Sequence, residues 1–337
     1  MGVKLRKLGD QVVVITGATS GIGLATAREA ARRRARVVLA ARNEEDLHTL
    51  EMEITRAGGF ALAVPTDVAD RRAVDELCDA ALAKFGRIDT WVNNAGVSIY
   101  GKLHDVDLVE ARRLFDVNFW GVVHGCRVAV RALGERGGAI INVGSVLSDR
   151  VIPLQGMYSA SKHAVKGYTD ALRMELEMAG RPISVTLVKP SAIDTPYTEH
   201  ARNHMEKQPR NPPPLYAPDL VADVVLFCSE HPRRDIVVGG GGKMFSVLEK
   251  VAPRLTDRVM EATMERMQKS DRPATPDRDN LFIAPLVEGR ERSAAPGGRV
   301  LERSAYTAMA LHPVATAAAT LAGIALVVGG VALARMR

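Results

Sequence analysis

A doubly wound α/β fold, in which a parallel sheet of about seven strands is covered by helices on both faces, is what this sequence of 337 residues predicts. Two observations carry that expectation. Seven short apolar, β-branched runs fall within the first 240 residues, and amphipathic stretches of helical length separate them. Strands that are apolar on both faces belong to a sheet buried between two helix layers, because parallel neighbours must be joined by crossover connections. Composition agrees, with 47% apolar and 25% charged residues, close to an average globular domain, and only 4% aromatics.

The expected strands, in order, are "VVVIT" (12–16), "ARVVLAA" (35–41), "FALAVP" (60–65), "IDTWVNN" (88–94), "GAIINVGS" (138–145), "ISVTLVKP" (183–190) and "DIVVGG" (235–240). Helical patterns such as "GLATAREAARR" and "AVDELCDAALAKF" fill the gaps. These elements define one domain over 8–242, with a proline-rich lid at 191–218. No apolar segment of signal-peptide type precedes the first strand. The net charge of +6 is spread among 39 acidic residues, and its one dense run, "RRRAR" (32–36), falls where a basic helix end complements the macrodipole, so a nucleic-acid partner is not expected. Three scattered cysteines, Cys78, Cys126 and Cys228, predict neither a disulfide framework nor a zinc site, and point to a reducing compartment.

Beyond residue 242 the character changes. A helical extension is expected over 243–269, docked through an apolar face of Leu255, Val259, Met260, Met264 and Met267. Residues 270–303, rich in proline, glycine and charge, read as a linker with one apolar knot, "LFIAPL". Residues 304–337 read as a membrane anchor, since Val314 to Ala334 carry no charge over a bilayer-spanning length.

Directly after the first strand comes "TGATSGIG" (16–23), which leads into a helix. Gly17, Gly21 and Gly23 would let the backbone approach a pyrophosphate, which the free N–H groups and dipole of the helix amino terminus stabilise. That places a Rossmann-type dinucleotide site at the carboxyl edge of the sheet. At the end of the second strand Ala41 stands where an acid would bind the ribose hydroxyl of NAD, and Arg42 follows it. An arginine there can pair with a 2′-phosphate, so NADP(H) is expected to be preferred, with NAD(H) still possible.

With "TDV" (66–68), "NNAG" (93–96), "VNFWG" (117–121), "VGS" (143–145), "YSASK" (158–162) and "KPSAIDT" (189–195) in that order, residues 8–240 resemble the short-chain dehydrogenases/reductases. The resemblance implies a cofactor site of Gly17, Ser20, Gly21, Ile22, Gly23, Arg42, Asp67, Val68, Asn94, Ala95, Gly96, Tyr158, Lys162, Ile193 and Thr195, in which Asp67 meets the adenine and Ile193 and Thr195 meet the nicotinamide. It implies a catalytic set of Asn118, Ser145, Tyr158 and Lys162, of which Ser145 and Tyr158 touch the substrate and Asn118 binds a relay water. Ser191 departs from the pattern, standing where the family has glycine.

The chemistry of that set can be argued on its own terms. Carbonyl reduction needs a proton at oxygen while hydride reaches carbon, and a phenol of ordinary pKa is a poor proton shuttle near neutrality. Lys162 lies one helical turn from Tyr158, so its charge, with that of an oxidised nicotinamide, should favour the phenolate. Ser145 at a strand end would steady the substrate oxygen.

A rival pattern, His200 and His204 beside Glu199 and Glu206, has the spacing of a helical metal pair but lacks a third ligand, so no metal is expected. Leu147, Val151, Ile152, Leu154 and Met157 suggest an apolar substrate pocket. The expected activity is therefore interconversion of a lipophilic carbonyl and alcohol by a membrane-tethered enzyme with a cytoplasmic catalytic domain, or a wholly cytoplasmic one. A homo-oligomer, dimer or tetramer, is also expected. The alternative is a membrane-tethered sensor or scaffold that binds a dinucleotide without turnover.

Overall fold

The structure is a computed structural model that describes residues 3–275, 279–284, 289–295, 298–312 and 316. Seven strands form one wholly parallel sheet: β1 (Val12–Thr16), β2 (Arg36–Ala41), β3 (Phe60–Pro65), β4 (Thr90–Asn93), β5 (Gly138–Val143), β6 (Ile183–Pro190) and β7 (Asp235–Val238). Their order is β7-β6-β5-β4-β1-β2-β3, so the winding reverses between β1 and β4. This is the doubly wound, Rossmann-type fold that the alternating pattern predicts. β1, β3 and β6 span the expected apolar runs, and the other four strands are one to three residues shorter, as where β5 stops at Val143 rather than Ser145.

Alternation along each strand sorts the core into two layers. Val13, Ile15, Val37, Leu39 and Ile141 face α1 (Gly21–Arg32), α2 (Glu44–Arg56) and α7 (Pro218–Glu230). Val12, Val14, Val38, Ile140 and Val185 face α3 (Arg71–Phe85), α5 (Gly121–Leu133) and α6 (Gly156–Met178). Local chemistry sets the helix starts: the carboxylate or amide oxygens of Asn43, Asp70 and Asp107 accept N–H groups of the first turns of α2, α3 and α4 (Leu108–Phe115). Within the second layer a buried polar chain crosses β4 and β5. Trp91 Nε1 donates to Asn93 Oδ1 at 2.8 Å, Asn93 Nδ2 to Asn142 Oδ1 at 2.8 Å, and Asn142 Nδ2 to Thr169 Oγ1 at 2.9 Å. The three cysteines are buried and free.

The extension is helical, as α8 (Gly240–Val251) and α9 (Pro253–Gln268), and α9 docks through the expected Met260, Met264 and Met267 but not through Leu255 and Val259. Thr256, Met260, Met264 and Gln268 are buried, whereas Leu255 and Val259 are exposed. The buried set repeats every four residues, and Leu255 and Val259 lie one position round from it. The described part of 270–303 is not a free tether. Lys269–Pro273 pairs antiparallel with Lys207–Pro209, Val300–Leu301 pairs with Leu215–Tyr216, and Leu281 is fully buried. Helix α10 (Ala305–Leu311) follows, packed near β7 and α8. Apart from Thr316, the uncharged run 314–334 lies outside the described residues; among those described, no helix is long and apolar enough to cross a membrane.

Two glycines make opposite predictions about stability. A Cβ on Gly125 would sit 2.0 Å from Asn93 Oδ1 and 2.7 Å from Trp91 Nε1, whereas one on Gly167, inside α6, would meet nothing within 4 Å. Gly125→Ala should lower stability by about 1–3 kcal/mol through overpacking, and Gly167→Ala should raise it by up to about 1 kcal/mol through helix propensity. Urea unfolding midpoints check both signs.

Candidate active site

The carboxyl ends of β1 and β4 meet at the reversal of winding, and hydrogen bonds of Thr16 and Asn94 join them. Thr16 Oγ1 accepts the N–H groups of Asn94 and Ala95 at 3.0 and 3.1 Å, and Asn94 Nδ2 donates to the carbonyls of Thr16 and Gly17 at 2.9 and 3.2 Å. Between them the chain turns into α1 so tightly that a Cβ on Gly23 would lie 1.9 Å from the Gly17 carbonyl oxygen, and Gly17 itself has φ +67°. A groove opens above this turn. Eleven residues of the expected cofactor set line it: Gly17, Ser20, Gly21, Ile22, Arg42, Asp67, Val68, Asn94, Ala95, Gly96 and Thr195. Gly23 shapes the turn from beneath, and Ile193, Tyr158 and Lys162 stand outside the lining. A groove floored by a turn with no room for a side chain at Gly23, at the amino terminus of α1, fits a dinucleotide.

Tyr158 and Lys162 project from the first turns of α6. Lys162 is buried, its Nζ donates to the Val143 carbonyl at 2.9 Å, and it stands 5.6 Å from the centre of the Tyr158 ring. Ser145 lies two residues beyond β5 as the cap of a 3₁₀ turn (Val146–Ser148). Its Oγ accepts the Leu147 N–H at 3.0 Å and lies beside the Tyr158 phenol. Asn118 is fully buried on a π turn (Asp116–Trp120) between α4 and α5. Its side chain is spent on the Val97 backbone, at 2.8 and 3.0 Å, and on Ser161 Oγ, at 3.1 Å. A Cβ on Gly96 would lie 3.4 Å from Asn118 Oδ1 and 3.8 Å from Lys162 Nζ, so these groups converge on one point.

Burial governs the electrostatics of the cluster. Burial pushes the Tyr158 phenol up to about 12, and hydrogen bonds with Ser145 and Tyr197 oppose that rise. Burial likewise pushes the Lys162 ammonium down to about 8. In both groups desolvation favours the neutral form.

Tyr197, which no motif marked, is the residue that sequence reasoning missed. Its ring meets that of Tyr158 edge-on at 5.5 Å, and its hydroxyl donates to Ser98 Oγ at 2.7 Å or Gln155 Oε1 at 3.0 Å. Its place in the lid, two residues after Thr195, was the available signal. Asp67 lines the groove, but Arg113 holds one carboxylate oxygen at 2.6 Å and the Ala69 N–H the other at 3.0 Å. Ser191 has no positive φ; its N–H donates to the Val238 carbonyl at 2.9 Å and its hydroxyl to that of Gly239 at 3.0 Å, so serine meets the demands of this position. His200 and His204 do not share a helix: a short strand at Arg202–Asn203 separates them, and His204 Nε2 pairs with Glu110 at 2.6 Å. Of the five residues expected to form an apolar pocket, Leu147 and Ile152 line a second cavity with Met260 and Met264 of α9. Leu154 packs instead with Tyr100, Ala201 and Met205, Met157 joins the α3–α6 layer, and Val151 is exposed.

Comparison with known proteins settles the class. A family profile described as short chain dehydrogenase matches residues 11–206, and the chain belongs to that family. It is an oxidoreductase of the family, 45% identical over 319 residues to the Bacillus subtilis oxidoreductase YxnA; the match covers 94% of this chain and 89% of that one. Among solved structures, a short chain dehydrogenase/reductase from Burkholderia phymatum in complex with NAD superposes with a TM-score of 0.67 at 28% identity, covering 80% of this chain and 100% of the other. An alcohol dehydrogenase from Thermococcus sibiricus complexed with 5-hydroxy-NADP gives 0.60 at 25% identity, over 67% and 95% of the two chains.

The groove makes a direct prediction. Gly23→Ala should weaken dinucleotide binding by at least about tenfold, because the turn must open to admit the methyl group. Nucleotide fluorescence titration reads the loss, and circular dichroism should show the sheet unchanged.

Proposed function

We propose that the chain interconverts a lipophilic carbonyl and its alcohol with NADP(H) as preferred cofactor, and that Tyr158 is the general acid/base. The observation that carries this reading is the convergence of Tyr158, Ser145 and Lys162 at the edge of a dinucleotide groove. When bound, the reduced nicotinamide supplies the hydride. Ser145, its oxygen held by the Leu147 N–H, keeps a proton with which to hold the substrate oxygen. Tyr158 delivers its phenolic proton to that oxygen as negative charge develops, and Lys162 then stabilises the phenolate that remains. Because the side chain of Asn118 is engaged, a relay from Lys162 to solvent would pass by its main-chain carbonyl and a water.

Support for NADP(H) is Arg42 beside Ala41 on the groove wall. Support for a lipophilic substrate is the second cavity, walled by Val146, Leu147, Ile152, Met260 and Met264 next to Ser145. The uncharged run 314–334 would tether a cytoplasmic catalytic domain to a membrane by its length alone. The domain would work as a dimer or tetramer.

Tyr158→Phe should lower kcat for NADPH-dependent reduction of lipophilic ketones and aldehydes by at least about a hundredfold, the usual scale of a lost general acid, with NADPH affinity nearly unchanged. Activity retained in this variant would remove the acid/base role, and nucleotide binding without turnover in the unaltered protein would favour a sensor.

The pH profile is a second check. Lys162 loses its charge as pH rises through about 8, whereas the Tyr158 phenol keeps its proton to about 12. The kcat/KM for reduction should therefore fall above about pH 8. A profile flat to pH 10 would contradict the role given to Lys162.

A further inference from the structure

Residues 279–284, which composition marks as linker, are built into the groove at its expected specificity residue. Arg42 Nη1 donates to the Phe282 carbonyl at 3.2 Å and to that of Leu281 at 3.5 Å, and Nη2 donates to the Asn280 carbonyl. Arg113, which holds Asp67, donates from Nε to the same Leu281 carbonyl at 3.0 Å. The segment is held from behind. The Leu281 side chain is fully buried in the α3–α6 layer, Asp279 pairs with Arg202 at 2.9 Å, and the Asn280 N–H donates to the His200 carbonyl at 2.9 Å. Asn280 and Ala284 line the groove itself. Three main-chain carbonyls thus take the guanidinium that a ribose 2′-phosphate would need.

We infer that residues 280–282 are a specificity element of the cofactor site, a strap whose carbonyls hold Arg42 beside a 2′-hydroxyl and surrender it to a 2′-phosphate. This rests on the reading of the groove as a dinucleotide site. With alanine at position 41 the strand end offers no acid to accept a ribose hydroxyl, and carbonyl oxygens beside Arg42 are acceptors of the missing kind. A phosphate is an acceptor only and carries up to two negative charges, so it is repelled by those same carbonyls. It also binds a guanidinium through charge-assisted, bidentate bonds about twice as strong as bonds to neutral acceptors. Strap and phosphate therefore compete for one side chain, and the competition is reciprocal: whatever loosens the strap tightens the phosphate-bearing nucleotide.

Leu281→Ser in the full chain removes the buried plug without touching Arg42. Titrated with NADPH and with NADH at one ionic strength, the variant should bind NADPH more tightly and NADH no better than before. The ratio of the two Kd values should move towards NADPH by about tenfold, the scale of one lost hydrogen bond to a charged group. An unchanged ratio, or equal weakening of both nucleotides, overturns the strap as a selector. The unaltered chain gives an independent reading: hydrogen exchange at the amides of residues 280–282 should be faster with NADPH bound than with NADH, and equal protection by both overturns the inference. Binding of neither nucleotide overturns the functional reading instead, so the two failures are distinguishable.

Discussion

The close passage of Gly23 over the Gly17 carbonyl is the constraint on which the rest of the site depends. A sheet buried on both faces can offer a ligand only its edges, and a reversal of winding leaves a crevice at one of them. Here the crevice lies between β1 and β4, and the Thr16 and Asn94 hydrogen bonds keep it at a fixed width. Because α1 starts directly on that turn, its amino terminus faces the groove, and the next strand ends bring Arg42 and Asp67 to the same wall. Any side chain at position 23 would lift the helix start away from the point where these groups converge.

At the other end of the groove the governing effect is desolvation. It moves Tyr158 and Lys162 in opposite directions along the pH scale, and in each case towards the neutral form. The pair is therefore less ionic than two isolated side chains would be. What draws the phenol back is hydrogen bonding by Ser145 and by Tyr197 of the lid. A positive charge arriving beside Lys162 would act far more strongly here than in water.

Much of this was legible in the sequence, for a reason particular to the fold. Strands apolar on both faces announce themselves as short continuous runs, so β1 and β3 begin and end where "VVVIT" and "FALAVP" do. Of the eleven expected residues that line the groove, the glycine-turn residues and Arg42 follow from their place after strand ends, and the others came with the family resemblance. On α9 the methionines were legible, but Leu255 and Val259 are apolar yet exposed, and the buried face includes Thr256 and Gln268, which no apolar pattern marks. Residues 279–284 were illegible for a deeper reason. Their contacts with Arg42 and Arg113 are made by main-chain carbonyls, which every residue possesses, and only Leu281 contributes a buried apolar side chain. Composition cannot distinguish such a segment from a linker.

The chain beyond the sheet therefore belongs to the site at both ends. Met260 and Met264 wall the cavity beside Ser145, and Gln268 ties α9 to Gln155, itself a partner of Tyr197, at 2.8 Å. On the groove side, Gly21 donates its N–H to the Arg290 carbonyl at 2.9 Å, and Glu199 of the lid accepts Arg290, Ser293 and the Ala294 N–H, each at 2.8 Å. Residues 197–199 are thereby held between α9 and the segment that crosses the groove. The match to YxnA spans 94% of this chain and so reaches into the same region. Through those contacts the extension reaches the second cavity at one end and the groove at the other.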